Sequence, residues 1–211
     1  MTMSGENRMD GFKIAYVFED VAHENFVKPL VRRWFQDNGM NMQTEDKLAE
    51  RGGNYKSKLK DYLRYWKKDK RFSYDLIILV LDGPDSIKTI QPYQRLFNRY
   101  DYQLAVVYAI PDPYVERWYL LDENAFKQAV RGTVSPPKLP KKTGRKAKEF
   151  YKDELRKAIR ANGIEPQAGG AEYGERIASL IQKICFDASL KKFVDDLERE
   201  KMALKLNRPQ G

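Results

Sequence analysis

The sequence of 211 residues contains one cysteine, Cys185, and one histidine, His23. A disulfide within the chain needs two cysteines, so none can form, which is typical of proteins from a reducing compartment. Structural zinc sites take four ligands, drawn mainly from cysteine and histidine, so a site of that kind is all but excluded. We therefore expect a cytoplasmic protein without a disulfide framework or a zinc centre.

Long apolar runs are also missing from the chain. A membrane-spanning helix needs roughly 18 consecutive apolar residues, and no stretch approaches that length. Residues 1–12, MTMSGENRMDGF, have no apolar core of the signal-peptide kind. No Walker sequence (G-x-x-x-x-G-K-[ST]) is present, so ATP hydrolysis by this chain is not indicated. We expect no membrane-spanning segment and no membrane partner.

Acidic residues are outnumbered by basic ones. The chain has 39 Lys and Arg residues against 30 Asp and Glu residues, which gives a formal net charge of +9. Such an excess favours polyanionic partners, either nucleic acid or an anionic membrane surface. Hydrophobic residues make up 42% of the chain, which is enough to build a core.

Short apolar segments alternate with amphipathic ones along the chain up to residue 130. The predicted strands cover residues 12–18, 40–48, 75–81 and 102–110. The predicted helices cover residues 21–37, 54–68, 88–98 and, in two pieces, 112–130. This alternation predicts an α/β fold whose mostly parallel sheet is flanked by helices.

The sequence divides into three segments. Residues 1–130 are predicted to form the α/β domain, residues 131–148 a basic loop with Pro and Gly, and residues 149–211 C-terminal helices packed on the same domain. The apolar spacing of Ile177, Leu180, Ile181 and Ile184 predicts a helix face. Cys185 falls on this apolar face, so we expect it to be buried.

Acidic side chains follow three of the predicted strands. They are Glu19 and Asp20, then Asp82 and Asp85, then Asp112 with Glu116 one helical turn later. In a parallel sheet, ligands bind beyond the carboxyl ends of the strands. Clustered carboxylates repel one another unless a cation neutralises them, and oxygen ligands favour Mg²⁺ or Mn²⁺. Each acid alone is better explained as a helix cap or turn residue, but their recurrence at successive strand ends predicts a metal site suited to phosphodiester chemistry.

Four motifs resemble those of a known family. VFEDVAHENFV (residues 17–27) and LIILVLDGPD (76–85) are similar to the first and second motifs of Toprim domains. RGG (51–53) and IPDPYVERWYLLD (110–122) resemble further motifs of small Toprim-related proteins, many of them encoded beside ABC-type ATPases in bacterial phage-defence cassettes. Within the last motif, the pattern E-x-W-x-L-x-D is supplied by Glu116, Trp118, Leu120 and Asp122.

The resemblance implies a Toprim-like fold and a Mg²⁺-dependent nuclease, or nuclease subunit, with an ABC-type ATPase as partner. It implies that Glu19 is an acid/base or the first metal ligand, that Asp82 is a metal ligand, and that Glu116 completes the cluster. Toprim domains usually carry two acids one residue apart in the second motif, whereas here Gly83 and Pro84 separate Asp82 from Asp85. This departure favours the alternative of a non-catalytic, regulatory partner of the ATPase.

Basic residues cluster late in the chain, where no acid occurs from residue 138 to residue 148. The residues predicted to contact nucleic acid are Lys138, Lys141, Lys142, Arg145, Lys146, Lys148 and, before them, Arg51. A solvated loop is the alternative for this stretch. We expect Trp118 to pack in the core, and His23 to be a surface or helix-start residue rather than a functional one.

Overall fold

A computed structural model describes residues 11–49, 55–69, 73–83, 86–140 and 146–206. Its centre is a sheet of four strands, namely β1 (Phe12–Phe18), β2 (Met42–Ala49), β3 (Leu76–Val80) and β4 (Ala105–Ala109). The strand order is β2-β1-β3-β4, and all three pairings are parallel. The predicted α/β fold is confirmed, and its topology is consistent with a Toprim-like domain.

The two central strands are buried on both faces because helices cover the sheet on both sides. Alternate side chains of β1 point to opposite faces, so Ile14 and Tyr16 join one apolar cluster while Ala15 and Val17 join the other. Strand β3 is buried along its whole length. This explains why its sequence is a continuous apolar run rather than an alternating one.

Two helical layers enclose the sheet. The first contains α1 (Val21–Asp37), α4 (Glu116–Tyr119), α5 (Glu123–Val130), α6 (Ala147–Arg160), α7 (Gly174–Leu180) and α8 (Ala188–Leu206). The second contains α2 (Tyr55–Lys68) and α3 (Ser86–Arg99). Trp34 lies in the first core and Trp66 in the second.

Several element boundaries differ from the prediction. Strand β4 is shorter than residues 102–110, and α6 already begins at Ala147, so Lys148 is helical. The apolar repeat from Ile177 does not form one helix, because α7 ends at Leu180 and Ile181 is extended. Chain direction changes there since the carboxylate of Asp122 accepts hydrogen bonds from the backbone amides of residues 182 and 183.

Cys185 is therefore exposed, and the prediction that it is buried was wrong. It lies in a short 3₁₀ turn, Ile184–Phe186, that follows this change of direction. In the part of the chain that the structure describes, no helix combines the length and the apolar character needed to cross a membrane.

Candidate functional site

The ends of β1 and β3 bring two of the predicted acids together. Phe18 pairs with Val80 in the parallel register, so the residues that follow both strands leave the sheet side by side. The backbone N–H of Asp82 donates to Oε2 of Glu19, with an N···O distance of 3.0 Å. The expectation that strand-end acids share one edge of the sheet therefore holds for Glu19 and Asp82.

His23 links this edge to the first helix. Asp20 is the N-cap of α1 and accepts a hydrogen bond from the backbone N–H of His23. The imidazole Nδ1 lies 2.8 Å from Oδ1 of Asp20, and Nε2 lies 2.8 Å from Oδ1 of Asp82. Of the two predicted alternatives, His23 is the helix-start residue, in the first turn of α1, and not a surface residue, since its side chain is fully buried.

The charge state of His23 follows from these contacts. Carboxylate oxygens only accept hydrogen bonds, so an imidazole between two of them holds protons on both nitrogens. Burial lowers the pKa of His23, but the hydrogen bonds and charges of Asp20 and Asp82 outweigh it and raise the pKa to about 10. The ring is therefore an imidazolium at neutral pH, and its charge offsets that of the acids around it.

Lys148 supplies a second cation to the same acids. Its Nζ lies 2.9 Å from Oδ2 of Asp82 and 3.8 Å from Oδ2 of Asp20, and it stands over the ring of Tyr114. Although burial lowers the pKa of Lys148, the charges of Asp82, Glu19 and Asp20 raise it above its usual value. Burial raises the pKa of Asp20, yet His23 and Lys148 bring it well below its usual range. The acid cluster is thus matched by two internal cations.

Glu116 is the most unusual acid of the site. Only 4% of the residue is exposed, and its Oε2 is buried without a hydrogen-bond partner among the residues that the structure describes. Burial raises the pKa of Glu116 to about 7, with a further contribution from the charge of Asp82. A carboxyl group with this pKa changes its protonation near neutral pH, as a general acid or base must.

A cleft of about 430 Å³ connects Glu116 with the strand-end acids. Glu19, Asp20 and Glu116 lie on one side, and Lys152 and Arg156 of α6 also line it. A substrate bound here would meet carboxylates and cations together. This combination suits a phosphate that is held by positive charge while acids act at the phosphorus.

The remaining positions of the E-x-W-x-L-x-D motif have structural roles. Trp118 is fully buried, as expected, and its indole N–H donates to Oγ of Ser189 at 3.0 Å. Leu120 is buried beside it. Asp122 caps α5 through the amides of residues 124 and 125 and also fixes the chain after α7. Only Glu116 of this motif points to chemistry.

Whether a divalent metal fits this site depends on the donor atoms that its side chains provide. Among the described residues, no group of three or more His, Cys, Asp or Glu side chains is close enough to hold a metal ion. Glu19 and Asp82 alone provide two adjacent carboxylates, which meets the need of Mg²⁺, since it is commonly held by one or two carboxylates plus substrate phosphates. Oε2 of Glu116 has no hydrogen-bond partner among the described residues, whereas Oε2 of Glu19 and both oxygens of Asp82 already have partners. This edge of the sheet thus offers a metal two carboxylates, and substrate phosphates would have to supply further oxygen ligands.

Several predicted residues lie outside the residues that the structure describes. They are Arg51, Asp85, Lys141, Lys142 and Arg145. Of the other predicted nucleic-acid contacts, Lys138 lines a different cleft, Lys146 is exposed before α6, and Lys148 belongs to the acid cluster.

Sequence reasoning underrated His23 and did not connect Lys148 with the acids. A signal for His23 exists, because a residue three positions after an N-cap carboxylate lies within its reach. Lys148 is brought to Asp82 by the packing of α6, which local sequence does not encode.

Comparison with family models, with curated proteins and with solved structures found no match.

Proposed function

We propose that this protein is a metal-dependent phosphodiesterase that cleaves nucleic acid at the edge of its sheet. The observation that carries this proposal is Glu116, a buried carboxyl group whose pKa is raised to about 7 and which shares a cleft with Glu19. A buried acid with an unsatisfied oxygen costs stability. Ionisable side chains with a strongly shifted pKa are typical of active sites.

Glu19 and Asp82 would hold Mg²⁺ or Mn²⁺, which would supply Lewis-acid stabilisation of the phosphate and of the departing oxygen. In hydrolysis, a water oxygen bonds to phosphorus as the bond to the leaving oxygen breaks. Ionised Glu116 would accept the proton of that water. Lys152 and Arg156, on the wall of the same cleft, would offset the phosphate charge.

His23 is a positioning residue in this scheme. Its two hydrogen bonds fix the carboxylates of Asp20 and Asp82 in place, which fixes the geometry of a ligand group. Lys148 holds the second oxygen of Asp82. Both cations offset the negative charge of the acids in the absence of metal.

The resemblance to the Toprim-related family supplies the cellular setting of the proposal. By that resemblance, the protein acts in bacterial anti-phage defence, in the cytoplasm, together with an ABC-type ATPase. Net charge and the basic cleft walls support the nucleic-acid target.

The test uses the purified full chain with labelled DNA and RNA strands and duplexes, with Mg²⁺ or Mn²⁺, with and without an ABC-type ATPase. We expect metal-dependent cleavage, and we expect Glu19→Gln and Asp82→Asn to lower it by about a hundredfold or more, since changes even beside metal ligands cost 10–100-fold. Glu24→Gln is the matched control, because Glu24 pairs with Lys47 instead of joining the site. Its activity should equal that of wild type.

Calorimetry of Mn²⁺ binding gives a second readout on the same variants. Wild type and Glu24→Gln should bind the ion in the presence of an uncleavable phosphorothioate strand, and Glu19→Gln should not. Equal binding or equal cleavage by all of the variants would show that the strand-end acids are not the site.

A second candidate function is a non-catalytic partner of the ATPase. Both carboxylate oxygens of Asp82 already bind His23 and Lys148, which leaves neither free to bind a metal. The spacing of Asp82 and Asp85 in the second motif, which departs from that of Toprim domains, also favours this candidate. Co-purification with the ATPase, combined with no cleavage and no metal binding by the complex, would establish this candidate in place of the first.

A further inference from the structure

A second cleft shares no lining residue with the cleft of the acid cluster. It has a volume of about 380 Å³, within the roughly 300–1,000 Å³ range of small-ligand sites. Arg117, Lys138 and Lys183 contribute cations to its lining, and Glu123 contributes one acid. Pro136, Pro137, Leu139 and Phe186 are among its apolar lining residues.

Phe186 is unusual because its ring is left in solvent. The residue is 70% exposed, whereas most other phenylalanines of the described chain are in the cores. It sits at the end of the 3₁₀ turn that Asp122 holds in place. A large exposed ring beside cations is the arrangement on which an unpaired base stacks while its phosphates meet positive charge.

Two of the three cations that line this cleft, Lys138 and Lys183, are available for a ligand. Neither Lys138 nor Lys183 forms an ion pair with any residue that the structure describes. Glu123 is occupied, since it accepts from Ser135 and pairs with Lys127. Arg117 is held by Asp187 at 3.3 Å, so its guanidinium is fixed in position. The net charge left to a ligand is positive.

The wall of the cleft is tied down rather than loose. Asn162 both accepts from the backbone N–H of Val134 and donates to its carbonyl. At the other end, the hydroxyl of the buried Tyr151 donates to the carbonyl of Pro140 at 2.8 Å. The stretch from Val134 to Pro140 therefore forms a fixed surface, and a preformed site loses less entropy on binding.

The cleft is adjacent to the acid site in the chain. Arg117 directly follows Glu116 in α4, and successive helix residues point in different directions, so Glu116 serves one cleft and Arg117 the other. A strand that crosses α4 would contact both.

We propose that this cleft, defined by Phe186, Arg117, Lys138 and Lys183, binds single-stranded nucleic acid by stacking an unpaired base on Phe186. The proposal rests on the nucleic-acid role proposed above and specifies the strand state of the substrate. In a duplex the bases are stacked on one another and paired, so no base face is open to the ring. Single strands present that face at every position.

The test measures fluorescence anisotropy of labelled mixed-sequence oligonucleotides, single-stranded and duplex, with the full chain in EDTA. Chelation removes cleavage, so binding is read separately from the proposed nuclease activity. Wild type should bind the single strand at least several-fold more tightly than the duplex. Phe186→Ala should weaken single-strand binding about tenfold, which is the effect expected for the loss of one stacked base.

Two further variants make the result specific. Phe186→Tyr keeps a ring and should keep wild-type affinity. Met202→Ala removes an exposed apolar side chain of α8 that does not line the cleft, and it should bind like wild type. Neither Phe186 nor Met202 is a core residue, so all three variants should fold.

Unchanged binding by Phe186→Ala, equal affinity for duplex and single strand, or no binding of any strand would overturn the proposal. Cleavage by a chain whose Phe186→Ala variant binds like wild type would overturn this inference and leave the nuclease standing. Single-strand binding that depends on Phe186, without metal-dependent cleavage, would support this cleft as a binding site and contradict the proposed nuclease activity.

Discussion

At the scale of single residues, the site pairs acids with two cations, the buried His23 and the partly exposed Lys148. His23 carries a pKa of about 10 against an ordinary 6.5, so its contribution to stability is complete below pH 6.5 and is lost as the pH rises towards 10. Glu19 and Asp82 could be predicted from the sequence, because acids that follow apolar strands lie at one sheet edge. The contact of His23 with Asp82 and the burial of Glu116 could not, because both depend on elements that are distant in sequence.

Glu116 should make stability depend on pH in a defined window. Its pKa is about 7 when folded and 4.5 ordinarily, so between these values the folded state binds more protons than the unfolded state. Stability must then fall as the pH rises through this window, by on the order of 3 kcal/mol. The side chain of Glu116→Gln cannot ionise, so its free energy of unfolding should not fall for this reason. In urea denaturation, the stability of this variant relative to wild type should therefore increase from pH 4.5 to pH 8.

Comparing the two proteins at each pH removes the contribution of His23, which both contain. Glu149→Gln is the matched control, because the side chain of Glu149 is 67% exposed. Its difference from wild type should not change with pH. If Glu116→Gln shows the same pH dependence as wild type, the Glu116 carboxyl ionises at an ordinary pKa and its catalytic assignment fails.

At the scale of elements, the segment from α4 to α7 is organised by one carboxylate. Asp122 uses Oδ1 to cap α5 and Oδ2 to accept from two amides after α7. The apolar repeat from Ile177 to Ile184 predicted a continuous helix, and this tie explains why the helix ends at Leu180. A periodic pattern indicates which side chains can be buried. It does not indicate where backbone amides donate hydrogen bonds to a distant carboxylate, which ends the helix.

Asp122→Ala should destabilise the protein by about 2–4 kcal/mol, because a cap is lost and buried amides lose their partner. Asp122→Asn should lie between alanine and wild type, since its carbonyl oxygen still caps α5 while its amide group cannot accept from residues 182 and 183. Urea denaturation measures both. Asp195→Ala, which breaks an exposed pair with Lys191, should cost less than about 1 kcal/mol. If Asp122→Asn were as stable as wild type, the hydrogen bonds from the amides of residues 182 and 183 to Asp122 would not be stabilising the fold.

At the scale of the whole molecule, most of the sheet was predictable because β1, β3 and β4 are short apolar runs, whereas β2 is mostly polar. The strand order is a property of long-range pairing, and β1 in the centre of the sheet pairs with both β2 and β3. The clefts could not be predicted, since each is formed by segments far apart in sequence. Arg117 and Phe186, for example, meet in one cleft only through the fold.

The net charge of +9 should make nucleic-acid binding depend on salt. Each phosphate that a single strand places on a lysine or arginine contributes a slope of about −0.7 to log K against log salt. If three phosphates are neutralised, affinity should fall roughly twentyfold between about 50 and 200 mM salt. Anisotropy titrations in EDTA give the slope, and Lys138→Gln and Lys183→Gln should each reduce its magnitude by about 0.7. Lys191→Gln, whose lysine is paired with Asp195 on α8, should leave the slope unchanged. A slope near zero in wild type would mean that the excess charge serves solubility and that nucleic acid is not the partner.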